Sequence, residues 1–140
     1  MRPPPLTSVV ESILYVSDLA RTAEFYRQVM LLETVGGDAR RFAAFALGPG
    51  QVLLLFVRGA TTTTVAVPGG LIPPHEGDGP QHIGFGITAD AYEPWRAHLV
   101  AHGVAIESET HWPAGGRSLY FRDPDQHLVE LITPGIWPNY

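Results

Sequence analysis

The chain contains no cysteine. Disulfides, thiolate metal sites and cysteine nucleophiles are therefore excluded, and any metal has to sit on histidine and carboxylate. A basic excess is also missing, since Lys+Arg 9 against Asp+Glu 14 gives a net charge of -5. That excludes a nucleic-acid partner, because displacing counterions from phosphate needs a basic surface. No apolar run approaches the roughly 20 residues that span a bilayer, so no membrane segment is expected. The longest such run, Val52 to Val57, is strand-sized. Met1 to Ser8 has an arginine and several prolines but no apolar stretch of the signal-peptide kind, and reads as a flexible tail. What remains is 140 residues, 45% of them hydrophobic, enough for one domain with a real core. The bulk composition predicts a soluble, cytoplasmic globular domain.

Hydrophobic patterning gives an order of elements that occurs twice. Val9 to Val16 is rich in β-branched and aromatic residues and predicts a strand. Asp18 is an N-cap for a helix to about Met30, whose apolar face carries Leu19, Ala23, Phe25, Tyr26 and Met30. Gly36-Gly37-Asp38 reads as a turn, and Phe42 to Leu47 and Val52 to Val57 as strands. Residues 59–80, rich in threonine, proline and glycine, read as a linker loop with one short strand near Thr64 to Val67. The second half begins with a strand from Gln81 to Thr88 and a helix from Ala89 to about His102, with Tyr92, Trp95 and Leu99 inward. Strands at Val104 to Ser108, Ser118 to Arg122 and His127 to Thr133 follow. The predicted organisation is a tail (1–8), a single domain (9–133) of two modules (9–58 and 81–133) joined by the linker, and a second tail (134–140).

Side chains alternate faces along a strand, so parity places them. Ile83, Phe85 and Ile87 form an apolar face that meets a helix, while His82, Gly84 and Gly86 lie opposite, the glycines leaving room for something above them. Val129 and Leu131 likewise face the helix and leave Glu130 on the other side. Glu11 shares that side in the first strand. A buried charge is costly unless paired or metal-bound. Glu11, His82 and Glu130 therefore form a candidate set for Mn²⁺, Fe²⁺, Ni²⁺, Zn²⁺ or Mg²⁺. The bland alternative is a solvated Glu11 and a simple His82–Glu130 hydrogen bond.

Three strings carry a resemblance. They are Leu14-Tyr15-Val16-Ser17-Asp18-Leu19 with Glu24-Phe25-Tyr26, then Gln81-His82-Ile83-Gly84-Phe85, and Gly116-Arg117-Ser118-Leu119-Tyr120-Phe121-Arg122-Asp123-Pro124-Asp125 closing in Val129-Glu130-Leu131. Together they resemble the vicinal-oxygen-chelate superfamily, the glyoxalase, bleomycin-resistance and extradiol-dioxygenase group. The resemblance implies an α+β fold of two βαβββ modules, with a curved mixed sheet around a cavity. It also implies a homodimer, whose sites are either shared between subunits or formed within one chain. The family's ligand positions fall on Glu11, Leu54, His82 and Glu130, of which Leu54 cannot coordinate. The implied activity is metal-dependent chemistry on a small oxygen-rich substrate, as a lyase or isomerase, a dioxygenase or a thiol transferase. The alternative it implies is a metal-free binding protein that sequesters a small aromatic ligand.

Each named activity meets an obstacle. Glyoxalase I is similar, but its proton-transfer carboxylate corresponds to Leu54, which takes no proton. Extradiol dioxygenases are similar at His82 and Glu130 but place a histidine where Glu11 stands. Fosfomycin-resistance thiol transferases share the Ser118-Leu119-Tyr120 strand, but Ala114 replaces a loop serine. Around the site the expectations are Glu130 and Tyr120 as catalytic groups and Arg117 as an anion clamp. Ser118, Arg122, Leu54, Phe56, Trp112 and His75 are expected to line the substrate. His98 and His102, four apart on a helix, are expected to face solvent.

Overall fold

A computed structural model describes all 140 residues. In chain order the elements are β1 (Glu11–Val16), α1 (Leu19–Gln28), β2 (Glu33–Asp38), β3 (Phe42–Ala46) and β4 (Val52–Val57). A small hairpin of β5 (Val65–Val67) and β6 (Gly70–Ile72) follows. Then come β7 (His82–Gly86), a 3₁₀ turn (Ala89–Ala91), α2 (Tyr92–Ala101), β8 (Ser108–His111), β9 (Arg117–Arg122) and β10 (Leu128–Ile132). The two four-stranded sheets have the orders β1-β4-β3-β2 and β7-β10-β9-β8. Each is the same path of first, fourth, third and second strand, so the repeat is real: two βαβββ modules with parallel first and fourth strands.

The core lies between sheets and helices. Leu14, Val16, Phe45, Leu53 and Leu55 of the first sheet join Phe85, Leu119, Phe121, Val129 and Leu131 of the second in one buried cluster. Leu19 and Tyr26 of α1, Met30 just beyond it, and Tyr92 and Leu99 of α2 complete it. Parity is as the sequence predicts, since alternate residues of β1 and β10 enter this cluster while Glu11 and Glu130 do not.

Three local expectations change. Gly36-Gly37-Asp38 belongs to β2, which carries a bulge between Thr34 and Gly36. A Cβ on Gly37 would meet the Phe42 carbonyl oxygen at 2.8 Å, so glycine there allows close strand approach rather than a turn. The 59–80 segment contains a full hairpin rather than one short strand. Val104 and Ile106 pack half-buried on the core, and the strand begins only at Ser108.

What joins the modules is a set of side chains on the free edge of β1. That strand pairs only with β4, so its outer peptide groups need other partners. Tyr15 N–H donates to Gln81 Oε1 at 3.0 Å, and Tyr15 C=O accepts from His127 Nε2 at 2.7 Å. His127 is fully buried, and its Nδ1 accepts from Gln81 N–H at 2.9 Å, so both ring nitrogens are committed. The preceding turn adds two carboxylates. Asp125 accepts from Ser17 N–H at 2.7 Å and from the Thr22 hydroxyl. Asp123 accepts from Asp125 N–H and His127 N–H at 2.9 Å on one oxygen, and from the Tyr26 hydroxyl at 2.8 Å on the other. The Asp123-Pro124-Asp125 turn thus braces itself and clamps β1 and α1 of the other module.

Tyr26→Phe leaves a buried Asp123 oxygen without its donor and is expected to cost about 1–3 kcal/mol. Urea unfolding should show a lower midpoint at an unchanged slope. Burial pushes the Asp123 carboxyl above its ordinary value, with Tyr26 and the turn N–H groups pulling partly back. A raised value in the folded state favours the protonated acid. Its stabilising contribution is therefore present below the unfolded value of ~3.9 and lost as pH rises through the folded one. A carbon-detected NMR titration should place the Asp123 midpoint above that of an exposed aspartate.

Candidate active site

The second sheet positions its polar residues by register. Glu130 on β10 sits opposite Tyr120 on β9 and beside Gly84 on β7, while His82 is paired with Leu128. Without a Cβ, Gly84 leaves the Glu130 carboxylate room: a Cβ there would be 3.7 Å from Oε1. Glu130 is buried, yet both its oxygens are engaged. Oε2 accepts from the Ser118 hydroxyl at 2.6 Å, and Oε1 lies 3.2 Å from His82 Nε2.

The direction of these bonds is fixed by chemistry. Trp112 Nε1–H can only donate, and it does so to Ser118 Oγ at 2.9 Å. The Ser118 proton therefore goes to Glu130, which accepts as a carboxylate. His82 Nδ1 is 3.0 Å from the Leu128 carbonyl, which can only accept, so Nδ1 carries the proton. Nε2 is then the ring nitrogen that faces Glu130 Oε1. Such a pair shares a cation, either a proton or a metal ion. The Leu128 carbonyl and the Ser118–Trp112 pair are outer partners of the kind that orient metal ligands. As a donor set, imidazole nitrogen plus carboxylate oxygen fits a first-row divalent ion or Mg²⁺. It supplies two positions, and the His82 side chain is 51% exposed, so the site is open on one side.

Tyr120 shares this face, its ring centre 6.4 Å from that of His82. Burial and then the Glu130 carboxylate raise its phenol above the ordinary value, so Tyr120 is a proton donor near neutrality.

Other expected residues lie elsewhere. Glu11 is exposed on β1, and no three His, Asp or Glu side chains of the chain converge on one point. The modules meet edge to edge through Tyr15, Gln81 and His127, which keeps Glu11 away from the His82–Glu130 pair. Arg117 has the parity opposite to Ser118 and turns toward α2. Its guanidinium lies 3.6 Å from the Tyr92 ring centre and pairs with Glu93 at 3.0 Å, so the anion clamp is corrected to a helix-to-sheet brace. Arg122 is paired with Glu107 at 2.8 Å and is not free for a substrate. Phe56 belongs to the first module, stacked on Phe42 at 5.5 Å. His75 covers it edge-on at 5.0 Å and shares a 2.6 Å hydrogen bond with the Tyr15 hydroxyl. Leu54, half-buried on the same side of β4, completes that apolar face. His98 is half-buried rather than solvent-facing, its Nε2 donating to the Val29 carbonyl at 2.8 Å.

A cavity of about 490 Å³ opens over the second sheet, lined by His82, Gly84, Gly86, Glu130, Ile132, Trp137, Asn139 and Tyr140. The three residues from the 134–140 segment were not among the expected site residues. The signal for them was the space above Gly84 and Gly86, which had no assigned occupant.

A fold of paired βαβββ modules, with a histidine–carboxylate pair on one open face, defines a class of protein. The profile of the Glyoxalase/Bleomycin resistance protein/Dioxygenase superfamily matches residues 7–131, and the chain belongs to that superfamily. Lactoylglutathione lyase from Agrobacterium tumefaciens is similar at 30% identity, with a TM-score of 0.88 over 96% of this chain and 99% of that one. A fosfomycin resistance protein from Listeria monocytogenes shares the fold at 22% identity, with a TM-score of 0.67 over 94% of this chain and 97% of its own. An integron cassette protein from the Halifax Harbour sewage outfall shares it at 22% identity, with a TM-score of 0.72 over 91% and 99%. No helix is long and apolar enough to cross a membrane.

Ser118→Ala strands both the Trp112 N–H and one Glu130 oxygen, with an expected loss of about 1–3 kcal/mol. Trp112 emission should shift while far-ultraviolet circular dichroism stays unchanged. An ultraviolet titration of wild type against Tyr120→Phe should show the missing phenol ionising above the ordinary tyrosine range.

Proposed function

We propose that the chain is a metal-dependent enzyme that chelates a small oxygen-rich substrate. The observation that carries this is the approach of His82 Nε2 to Glu130 Oε1 at 3.2 Å on an open face, an imidazole nitrogen and a carboxyl oxygen facing one another. His82 and Glu130 of one subunit would hold the ion, and Glu11 of a second subunit would supply a further carboxylate in a homodimer. The site is half-built within one chain, and Glu11 is exposed and without a partner side chain of its own, which supports the shared arrangement.

A bound divalent ion supplies Lewis acidity toward vicinal oxygens. The chain's own groups do the rest. Ser118 and Trp112 keep Glu130 aimed, Leu128 holds His82 Nδ1, and Tyr120 stands as a protonated donor beside them. Similarity to lactoylglutathione lyase points toward isomerisation of a glutathione adduct, but Leu54 offers no base at the position implied for proton transfer. The proposal is therefore a chelation-dependent lyase, isomerase, dioxygenase or thiol transferase. The stacked Phe42 and Phe56 face supports a second reading, metal-free sequestration of an aromatic ligand.

Protein purified without an affinity-metal step should carry about one divalent ion per chain, or take one up on incubation. His82→Ala and Glu130→Ala should lose it with the fold intact. If the sites are shared, Glu11→Ala and His82→Ala should each lose the ion alone, and their heterodimer should regain one of its two sites, about a quarter of the sites in a statistical mixture. If the site lies within one chain, Glu11→Ala should keep its ion and mixing should change nothing. A wild type that stays metal-free with Mn²⁺, Ni²⁺ and Zn²⁺, its melting curve unmoved, would sink the metal reading. Aromatic ligand binding that survives EDTA would favour sequestration.

A further inference from the structure

The segment from Pro134 to Tyr140 is anchored at both ends. Near its start, Gly116 N–H donates to the Gly135 carbonyl at 3.3 Å. The approach is close enough that a Cβ on Gly116 would lie 2.9 Å from the Gly135 carbonyl carbon. At the other end the Tyr140 hydroxyl donates to the Ile132 carbonyl at 2.9 Å, with the Ile87 carbonyl at 3.3 Å. Its ring fills the space above Gly86, where a Cβ would come 2.5 Å from the hydroxyl oxygen. Between the anchors the backbone closes on itself, Tyr140 N–H to Trp137 C=O at 3.2 Å and Gly135 N–H to Tyr140 C=O at 3.3 Å.

This strap holds Trp137 and Asn139 on the rim of the cavity that contains His82 and Glu130. Trp137 remains 65% exposed, so its position is set by the anchored backbone and not by burial of the indole itself. A large apolar ring held in the open beside a polar pair leaves a face for a ligand to cover. The cavity lining contains no arginine, and the chain contains no lysine. Nothing there would pair with an additional anionic group.

We infer that the 134–140 strap is the specificity-determining wall of the His82–Glu130 site, selecting a flat apolar group with no extra negative charge next to the chelating oxygens. The inference rests on the metal reading of that pair, and the test separates the two. Benzohydroxamic and acetohydroxamic acid share one chelating head and differ in a phenyl against a methyl group. Their affinities for the Mn²⁺-incubated protein should differ by roughly tenfold in favour of the phenyl compound, the scale of one aromatic contact. Trp137→Ala should erase the preference, bringing the affinity of benzohydroxamate down to that of acetohydroxamate. Gly86→Ala, whose methyl group displaces the Tyr140 ring, should do the same.

Binding of both compounds without preference, or a preference that survives Trp137→Ala, overturns the strap inference and leaves the metal reading standing. A Trp137-dependent preference that persists in EDTA supports the strap and overturns the metal reading. No binding of either compound to wild type overturns both.

Discussion

The free edge of β1 is the constraint from which the arrangement follows. A strand paired on one side only has peptide groups that must be satisfied on the other, and here Gln81 and His127 provide for Tyr15. Because those partners come from the start of β7 and the start of β10, the second sheet is held edge to edge with the first. The Asp123 and Asp125 carboxylates extend the same joint onto α1. The chain presents one polar open face with His82 and Glu130, while Phe56 of the first sheet lies buried beneath His75.

Within the polar face, strength comes from groups that can act in only one way. An indole N–H cannot accept and a carbonyl cannot donate, so Trp112 and Leu128 determine the orientation of everything between them. Ser118 and His82 have no freedom to reverse. One oxygen of the Glu130 carboxylate is held as an acceptor by a serine proton that has nowhere else to go.

Strand alternation was sufficient to put His82, Ser118, Tyr120 and Glu130 on one face, because parity survives errors in strand ends. It failed where apolar alternation arises from packing without pairing. Val104 and Ile106 alternate like a strand but rest on the core from a loop. Gly36 and Gly37 look like a turn because sequence does not show which backbone comes close. Arg117 was judged by its neighbouring glycines rather than its parity, and parity places it against Tyr92. That the 134–140 tail packs across a surface was legible from Trp137 and its prolines, but not which surface: Tyr140 meets Gly86 only through tertiary folding, and no short-range pattern links residues so far apart.

The hydrogen-bond chain from Trp112 through Ser118 to Glu130 also decides where protons can travel. Its far end is a nitrogen with no lone pair, so a proton arriving at Ser118 could not be handed on. The chain is a dead end rather than a wire into the interior. A proton exchanged at Glu130 would have to leave through the open side, past His82 and Tyr120. Deuterium from solvent water would reach that carboxylate from the open side alone.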